Sequence, residues 1–229
     1  MAGSASRPLR CPAPVGPWDN WPMSMPPSRF DVTRPEGRRL EEYVEKFTRK
    51  YDAGEDTAGE ARFIDAVAAR GSAILDGGCG TGRVGGALTA AGHRVLAVDR
   101  SRRLIEVARR YFPRTSYQVR DLLEVTADDL LAAGLPNRVD IVVLAGNVMP
   151  CLAPGTERRV LERLVGLLGD HGRLVLGFRT DREYSVTDLE RDQQALGLTE
   201  QHRFSDWQLG AWRDDSPWIV SMMGKQGNE

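Results

Sequence analysis

The sequence predicts an α/β fold built on a doubly wound, mainly parallel sheet, and three observations carry the prediction. A glycine-rich turn, Asp76-Gly77-Gly78-Cys79-Gly80-Thr81-Gly82, follows directly on the apolar run Ala73–Leu75. From there, short apolar runs alternate with segments of helical apolar spacing, which is the pattern of a β-α-β chain. Aspartates stand at the ends of the first three runs, as Asp76, Asp99 and Asp121.

Composition narrows the classes. Across 229 residues, 31 Lys and Arg against 32 Asp and Glu leave a formal net charge of -1, so no overall electrostatic attraction to nucleic acid or an anionic membrane is expected. Cys11, Cys79 and Cys151 are dispersed and lack C-x-x-C spacing, which indicates neither a disulfide framework nor a bound metal. No apolar run approaches the roughly 18 residues of a spanning helix, and the N-terminus has no hydrophobic signal core. A cytoplasmic location is the expectation. Residues 1–34 read as a Pro-rich, partly irregular extension, and residues 35–229 as one domain, with helices over 35–71 and the α/β core over 72–229. Trp18, Trp21 and Phe30 leave two readings of the extension open, a solvated segment or an arm folded over a ligand.

Taken in order, Pro35 to Tyr51 places Leu40, Tyr43, Val44, Phe47 and Tyr51 on one helical face. An aromatic at such spacing is a core residue unless Tyr51 and Asp52 reach a ligand at the strand ends. A second helix opens at Thr57, with Glu60 completing a capping box, and closes at Gly71. Ala73–Leu75 begins the first strand. The helix expected from Arg83 to Ala91 carries Gly85 and Gly86, each unfavourable by about 1 kcal/mol relative to Ala, for which close approach to the sheet compensates. Arg94–Asp99 is the second strand, Ser101 caps the next helix, and Ser116–Val119 is the third strand.

The glycine turn matches two patterns. Gly78-Cys79-Gly80-Thr81-Gly82 reads G-x-G-x-G, whereas Gly80 to Gly85 reads G-x-G-x-x-G, the dinucleotide fingerprint. The second begins late after the strand, and Asp76 opposes a pyrophosphate, so the first is preferred. A carboxylate at Asp99 can accept hydrogen bonds from both hydroxyls of a ribose. Asp121 can accept from the exocyclic amine of an adenine, with the Leu122 N–H facing a ring nitrogen and Arg100 or Leu122 covering a ring face.

On these residues the chain resembles the class I S-adenosylmethionine-dependent methyltransferases. Leu75 to Gly82 is similar to the family's first motif, Val95 to Asp99 to its second, Arg120-Asp121-Leu122 to its adenine position, and Val139 to Leu144 to its fourth strand. The resemblance implies a Rossmann-like doubly wound sheet of seven strands in the order 3-2-1-4-5-7-6, strand 7 antiparallel, with helices on both faces and an N-terminal helical extension. It implies S-adenosyl-L-methionine as cofactor and S-adenosyl-L-homocysteine as product. It implies the glycine backbone around the methionine part, Asp99 on the ribose and Asp121 with Leu122 on the adenine. The full set of cofactor-binding residues expected is Asp76, Gly77, Gly78, Gly80, Gly82, Asp99, Arg100, Asp121, Leu122, Ala145 and Asn147.

The remaining chain supplies what such a sheet requires. A helix begins at Thr156 and stops at Gly169, Arg173–Phe178 is strand five, Ser185 caps a helix that runs to Leu196, and Leu198–Phe204 and Trp218–Met223 are strands six and seven. The ligand side then holds the loop Ala145 to Pro150, the loop Arg179 to Tyr184, and Trp207 to Pro217. Asn147 is the one candidate catalytic residue, either orienting substrate or cofactor or simply holding its turn. Trp207 and Trp212 either wall an acceptor pocket or pack at a hairpin. His93, His171 and His202 fall away from the ligand side or within a strand, so no histidine is assigned to catalysis.

The function expected is direct in-line methyl transfer to a small-molecule acceptor. The loop after strand four lacks the Asn/Asp-Pro-Pro-Tyr/Phe run of nucleic-acid amino methyltransferases, so no nucleic-acid partner is expected. An NAD(P)-dependent oxidoreductase using the other glycine register, and a cofactor-binding protein without transferase activity, are the alternatives.

Overall fold

The computed structural model describes residues 27–32 and 38–225, so Trp18 and Trp21 lie outside the described residues. Strands β1 (Ala73–Gly77), β2 (Arg94–Asp99), β3 (Ser116–Val119), β4 (Val139–Leu144), β5 (Leu168–Arg179), β6 (Leu198–Phe204) and β7 (Trp218–Lys225) form one sheet. Its order is β3-β2-β1-β4-β5-β7-β6, and β7 runs antiparallel to both of its neighbours. The chain leaves β1 toward β2 and β3, then returns to lay β4 on the other side of β1, which opens a crevice beyond the carboxyl ends of the central strands.

Register explains why the aspartates converge. Asp76 stands opposite Ala97 on β2 and Val143 on β4, and Asp99 stands opposite Val119 on β3. All of these pairings are parallel, so the strands end along one edge. Behind that edge alternate residues face opposite layers. Ile74, Val95, Ala97, Ile141 and Val143 pack against helices α3 (Gly59–Val67), α4 (Arg83–Ala90) and α5 (Arg102–Tyr111). Leu75, Leu96, Val98, Val142 and Leu144 pack against α6 (Ala127–Ala132), α7 (Val148–Cys151), α8 (Glu157–Val165) and α9 (Val186–Ala195). Each fully buried Leu, Ile or Val contributes about 1.5–3 kcal/mol relative to exposure.

Helix α2 (Arg38–Asp52) lies outside this sandwich. Its Val44 packs with Leu104 and Val107 of α5, and Glu41 receives a bidentate bond from Arg103 at 3.0 Å. The short helix α1 (Arg29–Val32) reaches across to the end of α7, where Arg29 Nη1 donates to the Leu152 carbonyl at 3.2 Å and Nη2 pairs with Glu157 at 2.7 Å. The close approach to the sheet expected of the helix glycines is present at Gly85, where a Cβ would lie 3.1 Å from Ala97 Cβ on β2, whereas Gly86 approaches the Phe112 ring at the end of α5, 2.4 Å from such a Cβ.

Several boundaries differ from those read in the sequence; β5 begins at Leu168 and not at Arg173, and β7 runs on to Lys225. Helix α3 starts at Gly59 with Ala58 as its cap, since Glu60 is drawn away to Arg83 and cannot close a capping box with Thr57; it ends at Val67, and Gly71 sits in the following turn. Helix α8 stops at Gly166 instead of Gly169, because Gly169 to Gly172 belong to a bulge in β5, where Val139 pairs with Leu168 but Ile141 already pairs with Arg173. A Cβ on Gly172 would meet Leu168 Cβ at 2.9 Å, so the glycines serve the bulge. Helices α6 and α7 were not anticipated; α6 nonetheless carries a full capping box between Thr126 and Asp129.

Candidate active site

The turn after β1 is held by its own backbone and by two carboxylates. Gly78 and Gly80 take positive φ values of 68° and 57°, a conformation that side-chained residues avoid. The Cys79 N–H donates to Val98 O and the Gly80 N–H to Asp99 Oδ2, both at 2.9 Å, so the turn is fastened to the end of β2. Asp99 Oδ1 also accepts from the Ser101 N–H at 2.8 Å, and Ser101 caps α5 by accepting from Leu104 N–H at 3.3 Å. Asp76 is buried beneath the turn and accepts from the Gly85 N–H at 2.9 Å, anchoring the first turn of α4. Burial pushes the Asp76 carboxyl up to about 7 despite the pull of that amide.

Helix α2 roofs this floor. Tyr51 and Thr81 share a hydroxyl–hydroxyl bond at 2.6 Å, and a Cβ on Gly80 would lie 2.9 Å from Tyr43 Oη. Burial raises the Tyr43 and Tyr51 hydroxyls, the latter to about 12, so both keep their protons near neutrality. Glu60 of α3 and Arg83 of α4 form a bidentate ion pair beside the turn, with side chains only 17% and 15% exposed. Arg83 also donates to Thr57 O at 3.2 Å.

Between floor and roof lies a cavity of about 590 Å³. Of the residues expected at the site, Asp76, Gly78, Gly80, Asp99 and Arg100 line it, and so do Asp121, Leu122, Ala145 and Asn147. Asp121 accepts from the Leu123 N–H at 2.9 Å and lies 3.9 Å from Arg100 Nε. Asn147 Oδ1 accepts from the Arg179 N–H at 2.9 Å, holding the loop after β4 to the end of β5. Gly77 and Gly82 do not line the cavity: a Cβ on Gly77 would meet Leu144 at 2.7 Å, and one on Gly82 would meet Tyr117 Oη at 2.6 Å. Gly82 also takes a positive φ of 84° as the residue that caps α4.

Sequence reading missed most of the roof. Tyr43, Phe47, Glu60 and Arg83 line the cavity, as do Phe30, Cys151 and Trp218. The aromatic spacing along α2 was the available signal. It reads as core for Tyr51, which packs on Tyr111 and Phe112 at 4.9 and 5.2 Å and does not line the cavity. Asp52 binds the Tyr111 hydroxyl at 2.8 Å instead of facing the site. Trp207 packs on Phe63 at 5.5 Å and Trp212 under the Arg203 guanidinium at 5.5 Å, which is the packing alternative for both. None of the three histidines lines the cavity; His93 is buried against Asp65 at 3.0 Å.

Known proteins share this fold. A family model described as a methyltransferase domain matches residues 75–174. The crystal structure of a TehB-like SAM-dependent methyltransferase from Corynebacterium glutamicum is 34% identical, covers 83% of this chain and 100% of its own, and superposes with a TM-score of 0.75. The CcbJ methyltransferase of Streptomyces caelestis, 17% identical over 78% of this chain and 96% of its own, has a TM-score of 0.64. Magnesium protoporphyrin IX methyltransferase of Synechocystis, with bound SAM, is 15% identical over 83% of each chain, with a TM-score of 0.56. No curated protein sequence matches the chain. The fold is the class I Rossmann-like one, with its sheet order and antiparallel seventh strand. The chain belongs to the S-adenosylmethionine-dependent methyltransferases. As a member of that family the chain uses S-adenosylmethionine as cofactor and leaves S-adenosylhomocysteine as the product.

Proposed function

We propose that this protein methylates a small-molecule acceptor held in the same cavity as the cofactor, by direct in-line transfer, within one domain spanning residues 35–229. The observation that carries this reading is the shape of the site. A cavity of about 590 Å³ is within the range of small-molecule sites, and apolar side chains, among them Phe30, Leu40, Tyr43, Val148 and Leu152, line it. Among the described residues no helix is long and apolar enough to cross a membrane, and a cytoplasmic location fits the reading.

The residues present fit the cofactor. Carboxylates at Asp99 and Asp121 line the part of the cavity suited to a nucleoside, and we assign Asp99 to the ribose hydroxyls and Asp121, with the Leu122 N–H, to the adenine edge. Gly78 and Gly80 bring bare backbone to the cavity where a Cβ would strike Val148 or Tyr43, which suits the methionine end. Bound S-adenosylmethionine would supply a methyl carbon activated by its sulfonium, open to attack by an acceptor nucleophile with S-adenosylhomocysteine as the leaving group. The protein orients the acceptor and excludes water, and these are the contributions such a reaction needs. Burial raises the Tyr43 hydroxyl, so it keeps its proton near neutrality and is not assigned as a base. Asn147 is a positioning residue, since its amide oxygen is engaged by the Arg179 N–H.

The test is transfer of radiolabel from methyl-labelled S-adenosylmethionine to a panel of small amines, phenols, carboxylates and thiols, with transfer RNA and a protein extract as parallel arms. Label in the small-molecule fraction is expected. Label confined to the macromolecular arms overturns the acceptor class.

A further inference from the structure

Resting on the cofactor placement above, we propose that Arg83 and Glu60 together form the recognition site for the amino-acid end of S-adenosylmethionine, Arg83 taking the carboxylate and Glu60 the ammonium. Three observations point there. Arg83 is the first residue after the glycine turn, and both side chains line the cavity next to Gly78 and Gly80. The pair is largely withdrawn from solvent, at 15% and 17% exposure, whereas an exposed ion pair of this kind contributes only about 0–1 kcal/mol and has no need of a cavity wall. Neither member is saturated. Arg83 carries five N–H groups, and its bonds to Glu60 and Thr57 occupy three of them. Each Glu60 oxygen accepts one of those bonds and retains a lone pair.

The sign pattern selects the ligand. A lone arginine would suit any anion, including a pyrophosphate, but a carboxylate held against it repels a dianion. A paired guanidinium and carboxylate complement a zwitterion, closing four alternating charges with no net change. The Nη2 side of Arg83 faces the loop after β4, since a Cβ on Gly146 would lie 4.0 Å from Nη2; a ligand carboxylate there would sit between the glycine turn and that loop. The same pair accounts for the displaced start of α3, because Glu60 serves the cavity at the expense of its helix cap.

The competing role is mechanical: the pair merely clamps α3 to α4. Calorimetry with two ligands separates the roles, using S-adenosylhomocysteine and 5'-methylthioadenosine, which keeps the nucleoside and sulfur but lacks the amino-acid end. In Glu60→Gln and Arg83→Met, affinity for S-adenosylhomocysteine should fall about tenfold or more while that for methylthioadenosine stays within about twofold. Equal weakening of both ligands, or an unchanged homocysteine affinity, overturns the proposal. If Arg83→Met does not fold, Glu60→Gln is titrated with the deaminated analogue of S-adenosylhomocysteine. Deleting the ligand's amine should weaken binding to wild-type protein and not to the variant, and an equal penalty in both overturns the assignment. Wild-type protein that binds neither nucleoside ligand overturns the underlying cofactor placement, and with it this inference.

Discussion

Tyr51 and Thr81 join hydroxyl to hydroxyl at 2.6 Å, and through that bond helix α2 is fastened to the glycine turn it covers. Thr81 is 1% exposed, so loss of its partner leaves a buried hydroxyl to find another. Tyr51→Phe should therefore destabilise the protein by about 1–3 kcal/mol, lowering the midpoint of thermal unfolding by roughly 2–4 °C per kcal/mol. A midpoint that does not move would mean the bond contributes nothing to the roof.

Asp99 carries a second attachment of the turn, and in our assignment it also receives the ribose. Asp99→Ala removes acceptors for the Gly80 and Ser101 amides. Affinity for S-adenosylhomocysteine should drop by at least about tenfold, or about 1.4 kcal/mol. A dissociation constant equal to that of the wild type, in a variant with an intact circular dichroism spectrum, sinks the ribose assignment.

Asp76 gives a pH dependence of defined sign. Its carboxyl is raised by burial to about 7 in the fold, above the roughly 3.9 of an unfolded chain, so the folded state favours the proton. The stability this supplies is complete below the unfolded value and is lost as pH rises through about 7. Asp76→Asn stays neutral throughout and keeps an oxygen for the Gly85 amide. Denaturant titrations of both proteins should show the variant gaining relative stability between about pH 4 and 7, on the order of a few kcal/mol, and holding the gain above that. A difference that is flat with pH contradicts the shifted carboxyl.

Gly80 and Tyr43 should behave as a coupled pair. Gly80→Ala forces a Cβ into a left-handed backbone, at about 1–2 kcal/mol, and sets it 2.9 Å from Tyr43 Oη, while the ring carbons are at an ordinary 3.6 Å or more. Tyr43→Phe removes only the clashing atom. The double variant should unfold at higher denaturant than Gly80→Ala alone, and additivity of the two changes would show that the hydroxyl is not in contact with the turn.

Sequence reading was most accurate where structure is local and repetitive. The ends of β2, β3, β4 and β6 fall where apolar runs meet an Asp, a Gly or a turn, and Ser185 and Asp188 form the capping box their spacing implies. It failed where one residue had two possible employments. Gly169 has the appearance of a helix stop and is spent on a bulge, and Glu60 has the spacing of a cap and binds Arg83. Helix α6, at six residues, is too short to display a period, so only its cap was available to be read. Within the site, the floor was legible because glycines and strand-end aspartates occur at fixed offsets. The roof was not, since nothing in the spacing of Tyr43 and Gly80, or of Glu60 and Arg83, announces that distant segments meet.

The covering of the cavity by α2 has a consequence for how such a protein changes over generations. Leu40 and Phe47 line the cavity, yet their helix pairs with no strand of the sheet. Exchanging them reshapes the space without unzipping a strand, whereas exchanging Gly80 or Asp99 dismantles the turn on which every donor-side contact depends. In our assignment, selection on the acceptor acts on these positions, while Tyr43, which meets Gly80, and Tyr51, which bonds Thr81, are tied with the strand ends to the donor side.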